Sequence, residues 1–356
     1  MDARPVKAWG EPLDKGREHD HAATEAAIEA AGIDLDPVPP GHHRHGDETH
    51  AGDHAHPHNH ALPGETPFTG IVGAGAVGTA LGVALTRAGW PIHAVASRDA
   101  GRRERFTTFV EGARPFVEPQ ALIEEVELII LAVPDDAIGA LAEGVRMYSG
   151  QAMIHTSGAL GAEVLQPAMA AGTQVGAFHP LVSFADTERA IAALRGATVA
   201  IEGDDQLAGL LSEMAARVGA TAVRLAPGSK AAYHAAAVLA AGGFIALLDA
   251  IAELGAVAGL DEAGSLAIYG PLIEGTLGNA RALGIRAALT GPMTRGDLGT
   301  LEAHLAALSA HAPDALQLYA AAAHREIALA ASRGVLAPET AAAMTAAVVS
   351  ALARAD

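Results

Sequence analysis

The chain has 356 residues, 50% hydrophobic and only 4% aromatic, with a formal net charge of −18 and no cysteine. That length allows two domains and a tail, with cores built mostly from Ala, Val, Leu and Ile. The charge argues against a nucleic-acid partner or an anionic membrane surface, and the missing thiols exclude disulfides, iron–sulfur clusters, thiolate zinc sites and cysteine nucleophiles.

Residues 1–66 are rich in His, Asp, Glu, Pro and Gly and read as a mostly disordered extension, with one short helical pattern at 21–31. Eight of the 17 histidines fall between His42 and His60, and the run ends in His54, His56, His58 and His60. Alternate residues of an extended chain share a side, so these four imidazoles can converge on one divalent ion, Zn, Ni or Cu. A low-complexity solubilising tail is the plainer reading. No apolar stretch of signal-peptide type opens the chain, and a cytoplasmic protein is expected.

From residue 67 apolar strands alternate with helical stretches. The first strand ends in Gly73-x-Gly75-x-x-Gly78, and an Ala/Leu-rich helical pattern follows at once. This is the dinucleotide fingerprint in its required setting. Gly73 permits the turn, Gly75 lets a pyrophosphate approach the backbone, and Gly78 lets helix and strand pack closely. The backbone N–H groups around Ala76 and Val77 then face the phosphates. The second strand, 91–96, ends where an NAD site would place an acid, and here stand Ser97 and Arg98, with Arg102 and Arg103 a turn later. A hydroxyl and a guanidinium suit a 2′-phosphate, so NADP(H) is the expected cofactor. Asp99, if it met the ribose, would relax that preference.

Further strands are predicted at 127–133, 151–155, 174–178, 197–201 and 221–225, with helices at 136–145, 162–171 and 205–218. The pattern predicts an α/β Rossmann-type doubly wound sheet, mainly parallel. Ligands of such sheets lie at the carboxyl ends of the strands. Val133 and Pro134 would meet the nicotinamide ribose, and Asp135 reads more readily as a helix cap than as a site wall. Two further strand ends, with His155 and Ser157 on one and His179 on the other, suggest a polar substrate site, although each histidine alone suits a structural hydrogen bond equally well.

After residue 227 the strands stop. Helices are predicted at 230–260, 261–283, 297–309, 312–333 and 338–354, punctuated by Gly270-Pro271, Gly291-Pro292 and Gly334. The domains are therefore 1–66, 67–227 and an all-helical 228–356. The apolar window 235–260 carries Asp249, Glu253 and a Gly242-Gly243 pair, and reads as a buried helix rather than a membrane span. Lys230 and His234 share a helix face and could protonate a carbonyl oxygen as hydride reaches its carbon. A snorkelling lysine beside a core histidine fits the same spacing. In the loop at 289–297, Arg295, with Thr290 nearby, could clamp a substrate carboxylate, whereas Asp297 suits a helix cap. His304 and His311 read as surface or packing residues. No ligand-spaced cluster falls on the folded elements, so no catalytic metal is expected.

An ordered set of motifs spans residues 67–355: the Gly-rich turn, Leu131-Ala-Val-Pro-Asp135, His155-x-Ser157-Gly158-Ala159, His179-Pro-Leu181, Tyr233-His234-Ala-Ala-Ala, and Leu289-Thr-Gly-Pro-x-x-Arg-Gly-Asp297. It resembles a family that joins a Rossmann-like domain to a helical domain of unknown function numbered 2520, often labelled as relatives of factor-420 (deazaflavin) dependent NADP oxidoreductases. The wider kin are similar to pyrroline-carboxylate reductases, ketopantoate reductases and hydroxyisobutyrate-type dehydrogenases. The resemblance implies NADP binding, a homodimer through the helical domain, and a small carbonyl or imine substrate, with a 2-oxo or 2-hydroxy acid favoured. Lys230 or His234 would be the proton donor, and Ser157, His179 and Arg295 would position the substrate. Relatives carry Asn eight residues after His234, where this chain has Gly242. The competing reading is a non-catalytic NADP-binding module whose His-rich tail couples metal status to nucleotide occupancy. Hydride exchange with a deazaflavin rests on the family label alone.

Overall fold

The computed structural model describes residues 66–170, 172–226 and 228–354, together with the backbone of 42–45 and 48–51. Two compact units emerge, Met1–Ala237 and Val238–Asp356, divided inside a long helix ten residues beyond the boundary expected from sequence.

The first unit is built on an eight-stranded sheet. Its strands are β1 (Thr69–Val72), β2 (Ile92–Ala96), β3 (Arg114–Phe116), β4 (Leu128–Leu131), β5 (Ala152–His155), β6 (Gln174–Pro180), β7 (Thr198–Glu202) and β8 (Thr221–Arg224). Their spatial order is β8-β7-β6-β5-β4-β1-β2-β3. Every neighbouring pair is parallel except β6 and β7, where Ala177 faces Glu202 and His179 faces Ala200. The chain reverses direction across the sheet between β1 and β4, which opens the crevice where dinucleotides bind in this architecture.

Leu128, Ile129, Ile130 and Leu131 show why β4 is apolar throughout. All four are buried; Leu128 and Ile130 join one core with Ile71, while Ile129 and Leu131 join another with Val72 and Leu122. A strand covered on both faces carries a continuous apolar run instead of an alternating one. The sheet is anchored where it begins: the buried Trp90 indole N–H donates to the Thr69 hydroxyl at 3.0 Å, which in turn donates to the carbonyl of Pro67 at 2.9 Å.

The helices of this unit are α1 (Ala76–Arg87), α2 (Ala100–Phe109), α3 (Pro119–Ile123), α4 (Asp135–Gly144), α5 (Thr187–Leu194), α6 (Asp205–Arg217) and α7 (Lys230–Val238). Asp99, Asp186 and Asp204 cap α2, α5 and α6 by accepting backbone N–H groups. The segment 162–171, expected as an α-helix, forms a 3₁₀ helix, Ala162–Ala168, that contains Pro167. A proline there cannot donate the hydrogen bond that an α-helical turn needs. The short edge strand β3 and helix α5 were not singled out in the sequence.

The second unit is helical: α8 (Phe244–Val257), α9 (Glu262–Leu283), α10 (Ile285–Ala288), α11 (Pro292–Arg295), α12 (Leu298–His311), α13 (Pro313–Ser332) and α14 (Pro338–Leu352). Its core joins Leu301, Leu305, Leu316, Ile327, Met344 and Val348. Gly270-Pro271 does not punctuate α9, which runs through both residues. Ala267, whose carbonyl loses its partner to Pro271, is exposed and can bond water. A π-helical turn, Leu239–Gly243, joins α7 to α8, so the helix is continuous from Lys230 to Val257.

The apolar window expected to be a buried helix is not buried. Lys230–Val257 is long and apolar enough to cross a membrane, with mean hydropathy 2.1 and none of its window buried. Only its Ala250 and Leu254 side packs on the core of the second unit.

Within the N-terminal extension, His42–His45 pairs antiparallel with Glu48–Ala51, placing His43 opposite His50 and His45 opposite Glu48. The remainder of the extension, including His54, His56, His58 and His60, lies outside the described residues.

Candidate active site

The β1–α1 turn assigns its three glycines separate tasks. Gly73 has φ +111°, and a Cβ there would collide with the Ala132 carbonyl at the end of β4. A Cβ on Gly78 would strike the Gly73 carbonyl. At Gly75 a Cβ would meet nothing within 4 Å, so that position is open to a ligand. Helix α1 begins there without a side-chain cap and with no acid in its first turn. Its first N–H groups, at Ala76, Val77 and Gly78, are thus available to an anion. Val133 and Pro134 follow β4 on the other side of the same crevice.

At the end of β2 the Ser97 N–H donates to the Phe116 carbonyl at 3.1 Å, and the Arg103 guanidinium donates to the Ser97 carbonyl. Asp99 accepts the Arg102 N–H at 2.9 Å and pairs with its guanidinium at 3.7 Å, so its carboxylate is occupied as a helix cap. Arg98 is exposed and makes no hydrogen bond or ion pair among the described residues. These groups fit a 2′-phosphorylated dinucleotide: open space at Gly75, free helix N–H groups and an unpaired guanidinium.

A second cluster surrounds the loop that leaves β5. His155 is fully buried; its Nδ1 accepts the Ser157 N–H at 3.2 Å, which places its proton on Nε2, facing the Gly161 carbonyl at 3.1 Å. Both ring nitrogens are therefore occupied, and His155 is structural. The Ser157 hydroxyl donates to Asp135 at 2.9 Å and accepts the N–H groups of Ala159 and Leu160 at 3.1 and 3.0 Å. One donor and two acceptor sites are all a hydroxyl has. Ser157 thus holds Asp135 and the loop, with nothing left to offer a substrate.

Asp135 corrects another expectation. The N-cap of α4 is Pro134, with no side-chain cap; Asp135 is the first helical residue, and its carboxylate meets Ser157. It ties the end of β4 to the end of β5.

Gly158 stands between two imidazoles. A Cβ there would collide with His234 Nδ1 and come within 2.7 Å of His179 Nε2. Only glycine lets β6 and α7 bring both rings to this loop. His179 Nδ1 lies 3.2 Å from the Tyr233 hydroxyl, and its ring meets those of Tyr233 and His234 edge-on, centroids 5.7 and 5.6 Å away. One turn back on α7, Lys230 is only 6% exposed, with Nζ 3.6 Å from Glu202 Oε2, an ion pair too long for a hydrogen bond. The same Glu202 oxygen accepts the Ala162 N–H at 2.9 Å.

Burial dominates the titration of this cluster. It pulls His179 down to about 4, with help from the neighbouring His234 and Lys230, so His179 is neutral at pH 7. Burial also lowers His155 and Lys230, the latter against the opposing pull of Glu202, and pushes Tyr233 up to about 12. Two side-chain nitrogens, Lys230 Nζ and His234 Nδ1, are buried without a hydrogen-bond partner.

Ser157, His179, Lys230 and His234, chosen from sequence, thus share one cluster, and Lys230 is buried rather than snorkelling. Glu202 was missed: it ends a strand whose antiparallel direction the sequence does not announce. Gly158 and Tyr233 stood within recognised motifs without an assigned role. Thr290 and Arg295 are exposed residues of the second unit. Asp297 caps α12 as expected, accepting the Thr300 N–H at 3.0 Å, and His304 contacts the Tyr319 hydroxyl at 2.8 Å. Among the described residues no group of three or more His, Asp or Glu could hold a metal.

No curated protein matches the chain. Solved structures do. One is a Bacteroides fragilis protein provisionally named an NADP oxidoreductase, at 24% identity, TM-score 0.60, covering 74% of this chain and 98% of that one. A second is the 1-pyrroline-5-carboxylate reductase of Streptococcus pyogenes, at 16% identity and TM-score 0.54, covering 75% and 99%. A third is a reductive aminase from Aspergillus terreus solved with NADPH and ethyl-5-oxohexanoate, at 17% identity and TM-score 0.51, covering 81% and 94%. Below 25% identity these are likenesses of fold. Residues 57–180 match the Rossmann-like domain and residues 197–326 match the domain of unknown function DUF2520, so the chain carries a Rossmann-like domain followed by a DUF2520 domain.

Proposed function

We propose that the protein is an NADP(H)-dependent oxidoreductase that reduces a small polar substrate at a C=O or C=N bond. The observation that carries this reading is the pair of buried, unpartnered nitrogens, Lys230 Nζ and His234 Nδ1, set among strand ends beside an open dinucleotide turn. The names of the structural neighbours support the same class.

Gly75, the first N–H groups of α1 and Arg98 would hold the dinucleotide, and Val133 and Pro134 would bound its nicotinamide end. When bound, NADPH supplies a hydride. Lys230 would give the proton that the reduced oxygen or nitrogen needs, and its lowered basicity makes it the better acid near neutral pH. His234 would hold the same substrate atom, and the neutral His179 with Tyr233 would fix its orientation. Both a 2-oxo acid, which the resemblance favours, and an imine fit this description.

Fluorescence titration with NADPH and NADH, followed by turnover of a carbonyl and imine panel, tests the proposal. Tighter binding of NADPH is expected. The Lys230→Ala, His234→Ala double variant should keep that binding and lose turnover by about 100-fold or more. A double variant as active as its parent would sink the assignment.

Exposed apolar residues on α8 and α9 support a homodimer. Ile245 is 64% exposed, Leu272 67% and Leu283 63%. A second copy is favoured over a bilayer because Asp249 and Glu253 interrupt the apolar stretch. Sedimentation velocity without detergent should show a dimer; aggregation relieved only by detergent would favour the bilayer.

A second reading, the non-catalytic module, is favoured by Gly242 and the His-rich extension. It requires added Zn to change NADPH affinity, and that response to vanish when His54, His56, His58 and His60 become Ala.

A further inference from the structure

We infer that Glu202 sets the substrate class of this site: it closes the site to a carboxylate on the reacting carbon and admits an imine without one. The inference rests on the reductase reading above.

A buried carboxylate needs an uncompensated cation or free backbone N–H groups, and here the N–H groups of Ala159, Leu160 and Ala162 are already given to Ser157 and Glu202. The single buried cation here is Lys230, and Glu202 already stands 3.6 Å from it. The imidazole that meets Tyr233 is neutral at pH 7. The charges felt at His155, His179 and Lys230 are those of Lys230 and the neighbouring imidazoles, His234 first, and of the carboxylates Asp135, Glu163 and Glu202. Two of these are held in place: Asp135 by the Ser157 hydroxyl, and Glu202 by the Ala162 N–H. Several arginines of this unit are paired elsewhere: Arg87 with Glu188, Arg114 with Glu125, Arg217 with Glu213 and Arg224 with Asp205. Three carboxylates stand against Lys230 and His234, so the surplus is negative, which repels an anionic substituent and stabilises an amine as it gains a proton.

In the reaction the C=N π bond breaks. Its carbon receives a hydride, NADPH being oxidised to NADP⁺, and its nitrogen takes a proton from Lys230 Nζ, which solvent then restores. Glu202 keeps Lys230 protonated for this step while cancelling the charge that a carboxylate would seek.

Two probes of one frame test this, 2-methyl-1-pyrroline and 1-pyrroline-2-carboxylate, assayed with NADPH on the full chain. The wild type should favour the methyl compound in kcat/KM by tenfold or more. Glu202→Gln keeps an oxygen for the Ala162 N–H and removes the charge. It should narrow the ratio at least tenfold, mainly through a lower KM for the carboxylate, with NADPH affinity unchanged. Glu202→Asp should hold the parent ratio. A wild type that prefers the carboxylate overturns the inference, and loss of that preference in Arg295→Ala would give the role to Arg295. Equal losses on both probes in Glu202→Gln reduce Glu202 to a structural residue. NADPH binding with neither probe reduced refutes the imine class, whereas no NADPH binding at all refutes the reductase reading beneath it.

Discussion

The two units treat their apolar residues in opposite ways. In the first, both faces of the sheet are covered by its own helices, and Trp90, Phe106 and Phe178 are fully buried. In the second, one core lies among α12, α13 and α14, while α8 and α9 leave Ile245, Leu272 and Leu283 largely in solvent. The dinucleotide half can be completed by a small ligand. The helical half leaves an apolar face uncovered within one chain, the kind of surface on which the proposed dimer would form.

The sharpest way to break the self-contained half is Gly78→Val. Its side chain would displace the Gly73 carbonyl, and NADPH affinity in a fluorescence titration should fall about 100-fold or more, a loss of about 2.7 kcal/mol. The second half should respond to charge instead. Ile245→Glu with Leu272→Glu should convert a dimer to monomer by sedimentation velocity, weakening association about 100-fold, while leaving NADPH binding intact. A loss of NADPH binding there would show that the halves are not separable. Arg98→Ala should weaken NADPH about tenfold and leave NADH unchanged, as expected for one charge-assisted contact of about 1.5 kcal/mol. Equal weakening of both nucleotides would remove Arg98 as the phosphate reader.

The last prediction concerns pH and belongs to the first unit alone. His179 titrates near 4 when folded and near 6.5 when unfolded, so the unfolded chain binds the extra proton in that window. Its contribution to stability is complete above 6.5 and is lost as pH falls toward 4. Urea midpoints should decline over this window, and His179→Asn should flatten the decline, leaving the part due to the lowered His155. An unchanged slope would mean that His179 is solvated when folded.

Some of this was legible in the residues themselves. Gly73, Gly75 and Gly78 announce their roles because a turn, a close approach and a tight packing each exclude a side chain locally. The continuous Leu-Ile-Ile-Leu of β4 announces a strand buried twice, and the acid ahead of α12 announces a cap. Motif order also placed His179, Lys230 and His234 among the candidates.

Other features depend on what meets what. Ser157 looks catalytic until Ala159, Leu160 and Asp135 are seen to saturate its hydroxyl. Asp135 looks like a cap until the end of β5 lies beside it. Glu202 becomes visible only because β7 runs antiparallel to β6 and delivers its end to Lys230. The helix from Lys230 to Val257 reads as core by composition, yet within one chain its most apolar window is uncovered.

The sequence by itself determined the alternation of most strands and helices, the dinucleotide turn and the two histidines of the candidate site, since each is specified by residues close together in the chain. The tertiary structure alone decided which hydroxyl is already committed, which carboxylate faces the lysine and which apolar face stays open. Asp135 lies 22 residues from Ser157 and Glu202 lies 28 from Lys230, and no local pattern encodes those meetings.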